Sequence, residues 1–413
     1  MGSVSRPGTA ADAILGVVPR VVYSPGSQEE AQEVLRLCAR ERMSVGFAGG
    51  RTEIGLGAKP LRLDALVETS LLARVFDYAP SDMVLAAEAG TPLAAIQALA
   101  GKEGQQLALD PPLPERATVG GVVAANSFGP RRARYGSVRD VIIGIGLIRG
   151  DGALAHGGGK VVKNVAGFDL PKMACGSLGT LAMIGTVTFR LHPLPEESAT
   201  LLIERRKPAE VRSLLEAMVK AQLEPGSVVA LRDDGGGDFA LAVRFEGFAA
   251  GVRQQTQALQ RICRDPGRTA VDRLAEAEAR AVWARHDAVR TQGNLRLKLT
   301  AQATHLEHLD RAVLGPLAAA LRSPRAAWYA SLGIGFVSGD AADAAAAAAA
   351  IESARKTAVA CGGSLTITAA PEEVRARVDV WGPTPPAFAL MRRLKERFDP
   401  EHRLSPGRFV GGI

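Results

Sequence analysis

Residues 117–140, ATVGGVVAANSFGPRRARYGSVRD, place two adjacent glycines and a run of small residues ahead of a cluster of arginines. Small residues let a ligand or a second backbone approach the main chain, and glycine leaves its N–H unscreened. Gly120 and Gly121 are therefore expected to expose N–H groups, while Ala124 and Ala125 leave room for a flat or extended ligand. Arg131, Arg132 and Arg134 could neutralise an anion, with Arg134 expected to face inward and the other two to face solvent or a partner. Tight helix packing is the alternative account of the paired glycines.

A second glycine segment, FAGGRTEIGLG at 47–57, follows an expected strand. Its Gly49, Gly50, Arg51 and Thr52 suit a turn that aims successive N–H groups at one point, with the Thr52 hydroxyl as a further donor. Alone, such a stretch can be only a turn, and neither G-x-G-x-x-G nor G-x-x-x-x-G-K-[ST] occurs in the right context. Two such segments, each adjoining a strand, favour one large dinucleotide.

At 413 residues the chain accommodates two or three domains, each with its own core. Its 47% hydrophobic, 23% charged and 5% aromatic residues are those of a soluble globular protein and exclude a disordered one. A net charge of +7 favours anionic partners, but the basic residues are scattered and no Lys/Arg block points to nucleic acid. Cys38, Cys175, Cys263 and Cys361 form no C-x-x-C pair and no zinc or iron–sulfur spacing, so reduced thiols and no metal are expected. There is no signal-peptide layout and no apolar run of the ~18 residues a membrane span needs. The expected location is cytoplasmic, with peripheral attachment to the inner face of a membrane left open.

Residues 27–43 predict a helix: Ser27 and Glu30 form a capping box, and Ala31, Val34, Leu35 and Cys38 are apolar at helical spacing. A second strand is expected at 82–90, with Thr91 and Pro92 as N-cap and first position of the next helix. From 138 to 193 strands alternate with turns, broken by a short helix near Asp169. Over 199–265 the order is strand, helix, strand, strand, helix; a helical connector around Trp283 follows, and a similar order returns over 294–370. In that return a helix is expected from about 304 to 321, a strand at 326–338 and an alanine-rich helix at 344–350. The doubled order predicts one mainly antiparallel sheet with helices on one face. The expected domains are 1–195, 196–385, and a C-terminal segment, 386–413, that returns to the first.

Three strings carry a family resemblance: TVGGVVAANSFGPRRARYGSVRDVIIGIGLIRGDG (118–152), KNVAGFDLPKMACGSLGT (163–180) and FDPEHRLSPGRF (398–409). They resemble the FAD-binding PCMH, or vanillyl-alcohol-oxidase, superfamily, and GPRRARYGSVRD with the second string is most similar to the E subunits of bacterial glycolate oxidases. The likeness covers residues 20–195 and the tail, and the middle domain only in its order of elements. It implies an α+β fold: a PCMH-type FAD-binding domain of two α/β subdomains plus a ferredoxin-like-repeat cap domain with a mainly antiparallel sheet.

The resemblance further implies that FAD lies between the two subdomains, its diphosphate on Ala48, Gly49, Gly50, Arg51 and Thr52. Thr118, Gly120, Gly121, Ala124, Asn126 and Ser127 would line the dinucleotide, Arg134 would supply charge, and Tyr135 and Gly136 would follow near the flavin end. Gly176, Ser177, Gly179 and Thr180 match the G-S-x-G-T turn, whose next strand, with Ile184, would pass the adenine. Lys163 and Asn164 would approach the flavin or serve as strand-end hydrogen-bonding groups. No His or Cys stands where relatives tether their flavin, so non-covalent FAD is implied.

Two departures stand out. Where many relatives have Pro-Arg-Gly-Gly-Gly-Thr, this chain has Phe47, Ala48, Gly49, Gly50, Arg51 and Thr52, and GTLAMIGTV replaces the commoner G-T-L-G-I-I-T-E. The G-H-x-G-D-G-N-x-H motif, which gives autonomous D-2-hydroxy-acid dehydrogenases of the superfamily their metal ligands and base, is absent; HLEH at 305–308 lacks a third ligand. No catalytic base is assigned. Trp283, Arg285, His286, Arg377 and Trp381 read either as active-site cap or as packing and surface residues. The resemblance implies an FAD-binding subunit, working beside a catalytic flavoprotein subunit and an iron–sulfur subunit, in the oxidation of a small 2-hydroxy acid, glycolate to glyoxylate. The alternatives are a free-standing FAD-dependent oxidase or dehydrogenase of another hydroxy compound, and a scaffold subunit with a decayed flavin site, suggested by Ala48 and Ala182.

Overall fold

The computed structural model describes residues 4–160, 168–233, 237–264 and 271–413, so Lys163 and Asn164 lie outside it. The chain divides into two compact units: Met1–Gly129, Gly136–Leu194 and Pro383–Ile413 make the first, Pro130–Tyr135 and Pro195–Gly382 the second. The architecture is α+β.

The first unit holds two main sheets. One has the strand order Val4–Pro7, Val21–Ser24, Ala65–Glu68, Val45–Ala48; its last three strands are parallel and the first is antiparallel. Helix Gln28–Arg40 buries Ala31, Val34, Leu35 and Cys38 in a cluster with Val45, Ala65 and Val67, as its spacing required. Ser27 caps it by accepting from the Glu30 N–H, but the Glu30 carboxylate accepts from the Gly26 N–H at 2.8 Å, one residue upstream of the expected box. The other sheet is antiparallel, in the order Val75–Ala79, Val84–Glu88, Met183–Arg190, Ile142–Ile148, Leu154–Gly158. Helices Leu93–Gly101 and Val119–Ala125 share its core with Leu85, Ala87, Ile145, Leu147 and Val187. Pro92, not Thr91, is the N-cap of the first of these, because Thr91 is drawn into the link to the second: its carbonyl accepts from the Val119 N–H.

The tail closes an edge. Val45 N–H donates to Arg403 O and Ser405 N–H to Val45 O, both at 2.8 Å, so the C-terminal segment covers the free side of strand Val45–Ala48. Helix Phe388–Phe398 contributes Lys395, which is wholly buried.

The second unit is a seven-stranded antiparallel sheet in the order Glu197–Arg206, Phe239–Gly247, Ser227–Asp233, Leu321–Tyr329, Ile334–Ala341, Leu295–Thr300, Ser364–Ala369. Helices Pro208–Lys220, Ala249–Ile262 and Ala344–Ala360 bury one face. The structure corrects three expectations. Residues 326–338 are two strands, not one: the chain reverses between Tyr329 and Ile334, with Gly333 at φ 64 where a side chain would be strained. The helix expected to about 321 ends at Ala319 and passes through a π-turn at Asp310–Leu314, just before Pro316, which has no N–H to continue an α ladder. Helix Glu276–Thr291 lies on the opposite face: Trp283 donates to Thr200 and His286 meets Tyr329, and both partners alternate with core-facing neighbours Leu201 and Trp328.

Candidate cofactor-binding site

The turn after strand Val45–Ala48 owes its glycines to close approach. A Cβ on Gly49 would lie 2.2 Å from the Thr118 hydroxyl oxygen, and one on Gly50 1.6 Å from Arg116 O. Both obstacles belong to the segment entering helix Val119–Ala125, so the two glycine stretches, remote in sequence, are neighbours in space. Thr118 caps that helix, accepting from the Gly121 N–H at 3.3 Å.

Among the described residues, no acceptor takes the backbone N–H of Gly49, Gly50, Arg51 or Thr52. A backbone N–H without a partner is costly unless solvent or a ligand takes it. Arg51 is left-handed, at φ 57, and a turn of this kind makes a concavity suited to an anion. The Arg51 side chain goes elsewhere. Its guanidinium pairs with Glu68 at 2.8 Å and Asp12 at 3.4 Å and donates to Ala11 O at 3.0 Å, so at this turn the main chain is what an anion would meet.

Gly120 corrects an expectation. Its N–H is not free but donates to Ala89 O at 2.8 Å, and a Cβ there would strike the Ala89 Cβ at 2.5 Å; the residue is bare for packing. A Cβ on Gly121 would meet only the Thr118 hydroxyl, at 3.1 Å, so its bareness opens space.

That space is a cleft, open to solvent, between the turn, the helix and the strand that begins at Met183. Ala48, Gly49, Gly50, Arg51, Thr52, Thr118, Gly120, Gly121, Ala124, Ser127, Gly179 and Ile184 all line it. The structure thus brings together residues from the turn at 49–52, helix Val119–Ala125, the Gly179 turn and the following strand. Ala48 and Ala182, which suggested a decayed site, line the cleft as small side chains and leave it open.

Four expected residues are not in the lining. Asn126 ends the helix at φ 49, with its Oδ1 buried and unpartnered beside cleft-lining Ser127. Gly136 shapes a turn at φ 83, where a Cβ would meet the Asp140 side chain at 2.7 Å. Arg134 and Tyr135 belong to the second unit. There the inward arginine is Arg131, not Arg134. Arg131 is 12% exposed, pairs with Glu246 at 3.2 Å and covers the Tyr135 ring, whose hydroxyl donates to the same carboxylate. Arg134 is exposed and donates to Glu224 O. The buried Glu246 carboxylate selects the arginine that can reach it.

Sequence reasoning missed Ile14, Glu53 and Arg408 as lining residues. Ser127 donates to Glu53, and Arg408 donates to Ile54 O at 3.0 Å, tying the tail to the loop after the turn. Both lay inside quoted strings; Ile14 carried no signal. Trp283, Arg285 and His286 are engaged within the second unit: Arg244 lies 3.9 Å over the Trp283 ring, Arg285 pairs with Asp233 at 2.8 Å, and His286 is 2.7 Å from the Tyr329 hydroxyl. Trp381 packs half-buried on the core and Arg377 is exposed. Among the described residues no group of three or more His, Cys, Asp or Glu is placed to hold a metal.

The unclaimed N–H groups and the small, apolar walls fit a diphosphate joined to flat rings, and the chain's relatives agree. Residues 19–158 match the family model for the FAD binding domain, and residues 381–409 that for FAD linked oxidases, C-terminal domain. The chain therefore carries an FAD-binding domain, containing both glycine stretches, together with the C-terminal segment of FAD-linked oxidases. It is 36% identical over 186 residues to the glycolate oxidase subunit GlcE of Escherichia coli (strain K12), covering 45% of this chain and 51% of that one. It is 31% identical over 185 residues to a D-2-hydroxyglutarate dehydrogenase of Xanthomonas citri pv. viticola, covering 45% and 39%. The matches thus span about half or less of these relatives' length. A solved alkyldihydroxyacetonephosphate synthase shares the fold, with a TM-score of 0.71 over 96% of this chain and 78% of that one at 17% identity.

Proposed function

We propose that the chain is the FAD-binding subunit of a glycolate oxidase, a 2-hydroxy-acid dehydrogenase complex, and acts beside a catalytic flavoprotein subunit and an iron–sulfur subunit. One observation carries the reading: the turn Gly49 to Thr52, whose four N–H groups have no acceptor among the described residues, lines a cleft that Gly121, Ala124 and Ala182 keep bare. When bound, FAD supplies a two-electron acceptor for the hydride of a CH–OH carbon. The residues of this chain bind and orient. The main chain of 49–52 and the Thr52 hydroxyl hold the diphosphate. Gly121 and Ala124 leave the depth a ring system needs, Ile184 and Gly179 flank the adenine, and Asn126 and Ser127 offer polar contacts along the dinucleotide. FAD is held without a covalent bond. The likeness to the E-subunit relative favours a subunit role. No helix among the described residues is long and apolar enough to cross a membrane, and peripheral association through the complex is part of the proposal.

The test is purification of the chain alone and with its partner subunits, followed by visible spectra, acid precipitation, and anaerobic addition of glycolate or D-lactate. The expected result is a flavin spectrum, release of FAD into the acid supernatant, and bleaching by glycolate only in the complex. Bleaching of the isolated chain would mark a free-standing dehydrogenase; failure to take up FAD at all would mark a scaffold.

A further inference from the structure

Arg51 occupies a left-handed position where the superfamily it resembles often keeps glycine, and its side chain turns out of the cleft. It ends in a ring of alternating charge. Arg51 pairs with Glu68 and Asp12; Asp12 in turn takes both terminal nitrogens of Arg6, at 2.6 and 2.8 Å, and Arg6 reaches Glu68 at 3.6 Å. Each carboxylate is held in place. Asp12 accepts the Thr9 N–H at 2.9 Å and the Thr9 hydroxyl at 2.8 Å, and Glu68 accepts from Ser24 at 3.4 Å. The Asp12 side chain is 5% exposed, that of Arg51 23%.

We propose that Arg51 is a positioning residue for the cofactor cradle: through Asp12, Glu68 and Arg6 it locks the cleft-lining turn whose four N–H groups have no acceptor among the described residues. This rests on the FAD reading above and extends it to the N-terminal segment. A left-handed arginine is strained relative to glycine, and a turn so strained persists only where surrounding contacts over-determine it. The ring supplies those contacts. It joins the turn to strand Ala65–Glu68 and to residues 6–12, and Ile14, two residues beyond Asp12, is itself a wall of the cleft. A flexible glycine at 51 would have to order its backbone at the moment of binding; the stapled arginine has done so beforehand.

Arg51→Gly separates positioning from structural support, because it removes the staple while relieving the strain. FAD is titrated into the cofactor-free full chain, with flavin fluorescence as the readout, and thermal midpoints of the same samples are recorded. Arg51→Gly is expected to keep the midpoint of the cofactor-free chain and to bind FAD about tenfold more weakly, the scale of one charge-assisted hydrogen bond. Asp12→Asn, at a residue outside the cleft lining, is expected to weaken FAD similarly, and the double variant no further, since both break one ring. Arg51→Lys, one cation in place of a fork, falls between. FAD binding by Arg51→Gly equal to the native chain's overturns the proposal and leaves the FAD reading intact; no FAD binding by the native chain overturns both.

Discussion

Replacing Lys395 by Met removes a buried cation from the join between the tail and the cofactor domain. The Lys395 ammonium donates to Thr180 O at 2.8 Å, Leu404 O at 2.8 Å and Asp399 Oδ2 at 2.6 Å. Both side chains of the ion pair are 1% exposed. Burial pulls the Lys395 ammonium below its ordinary value, and the Asp399 carboxylate opposes that pull. Methionine fills much of the volume but leaves Asp399 as a buried charge, with the Leu404 N–H at 2.7 Å as the remaining donor to its side chain among the described residues, and leaves two carbonyls without their donor. Breaking one side of a buried pair destabilises by about 3–5 kcal/mol. In a unit of about two hundred residues, at roughly 2–4 °C per kcal/mol, the first thermal transition should fall by roughly 6–20 °C. Scanning calorimetry at neutral pH measures this. The double variant Lys395→Met/Asp399→Leu should recover part of the loss, because no lone charge stays buried. A shift below about 2 °C in the single variant would show that water reaches the site, and would refute the reading of Lys395 as the clamp between Thr180 and the tail.

Gly50→Ala drives a methyl into Arg116 O, so the turn must move; FAD titration should show binding lost and the midpoint lowered, by the about 1–3 kcal/mol of an overpacked site. Gly121→Ala meets only a hydroxyl oxygen at 3.1 Å, so circular dichroism should show an intact fold while FAD affinity falls because the methyl narrows the cleft. Hydrogen bonds from Arg6 and Thr9 hold the Asp12 carboxyl well below the usual carboxylate range. A group depressed in the folded state stabilises above its unfolded value and loses that contribution as pH falls through the folded one. The stability gap between the native chain and Asp12→Asn, from urea melts, should therefore be full above the ordinary value of 3.8 and shrink on further acidification; a constant gap contradicts the ring. Burial pushes the Cys38 thiol up to about 11 and the Cys175 thiol up to about 12, so at mildly alkaline pH neither should react rapidly with a disulfide reagent in the native chain, as peptide mass spectrometry would reveal.

Sequence periodicity determined much of this molecule. The apolar spacing of 27–43 placed a helix against a parallel sheet, and the doubled strand and helix order over 199–370 set out an antiparallel sheet. The two glycine stretches marked the lining of one cleft, because a residue without a side chain records close approach wherever it occurs. What approaches it is another matter. Gly50 faces the carbonyl of Arg116, and Gly120 gives its N–H to Ala89 rather than to a ligand. Arg51 turns to Asp12 and Glu68, Arg131 rather than Arg134 reaches Glu246, and Lys395 closes on Thr180 and Leu404. Local pattern encodes which positions are buried, since burial follows the period of a helix or strand. The partner of a buried charge or N–H is set only when segments far apart in the chain meet, so those assignments belonged to the tertiary structure alone.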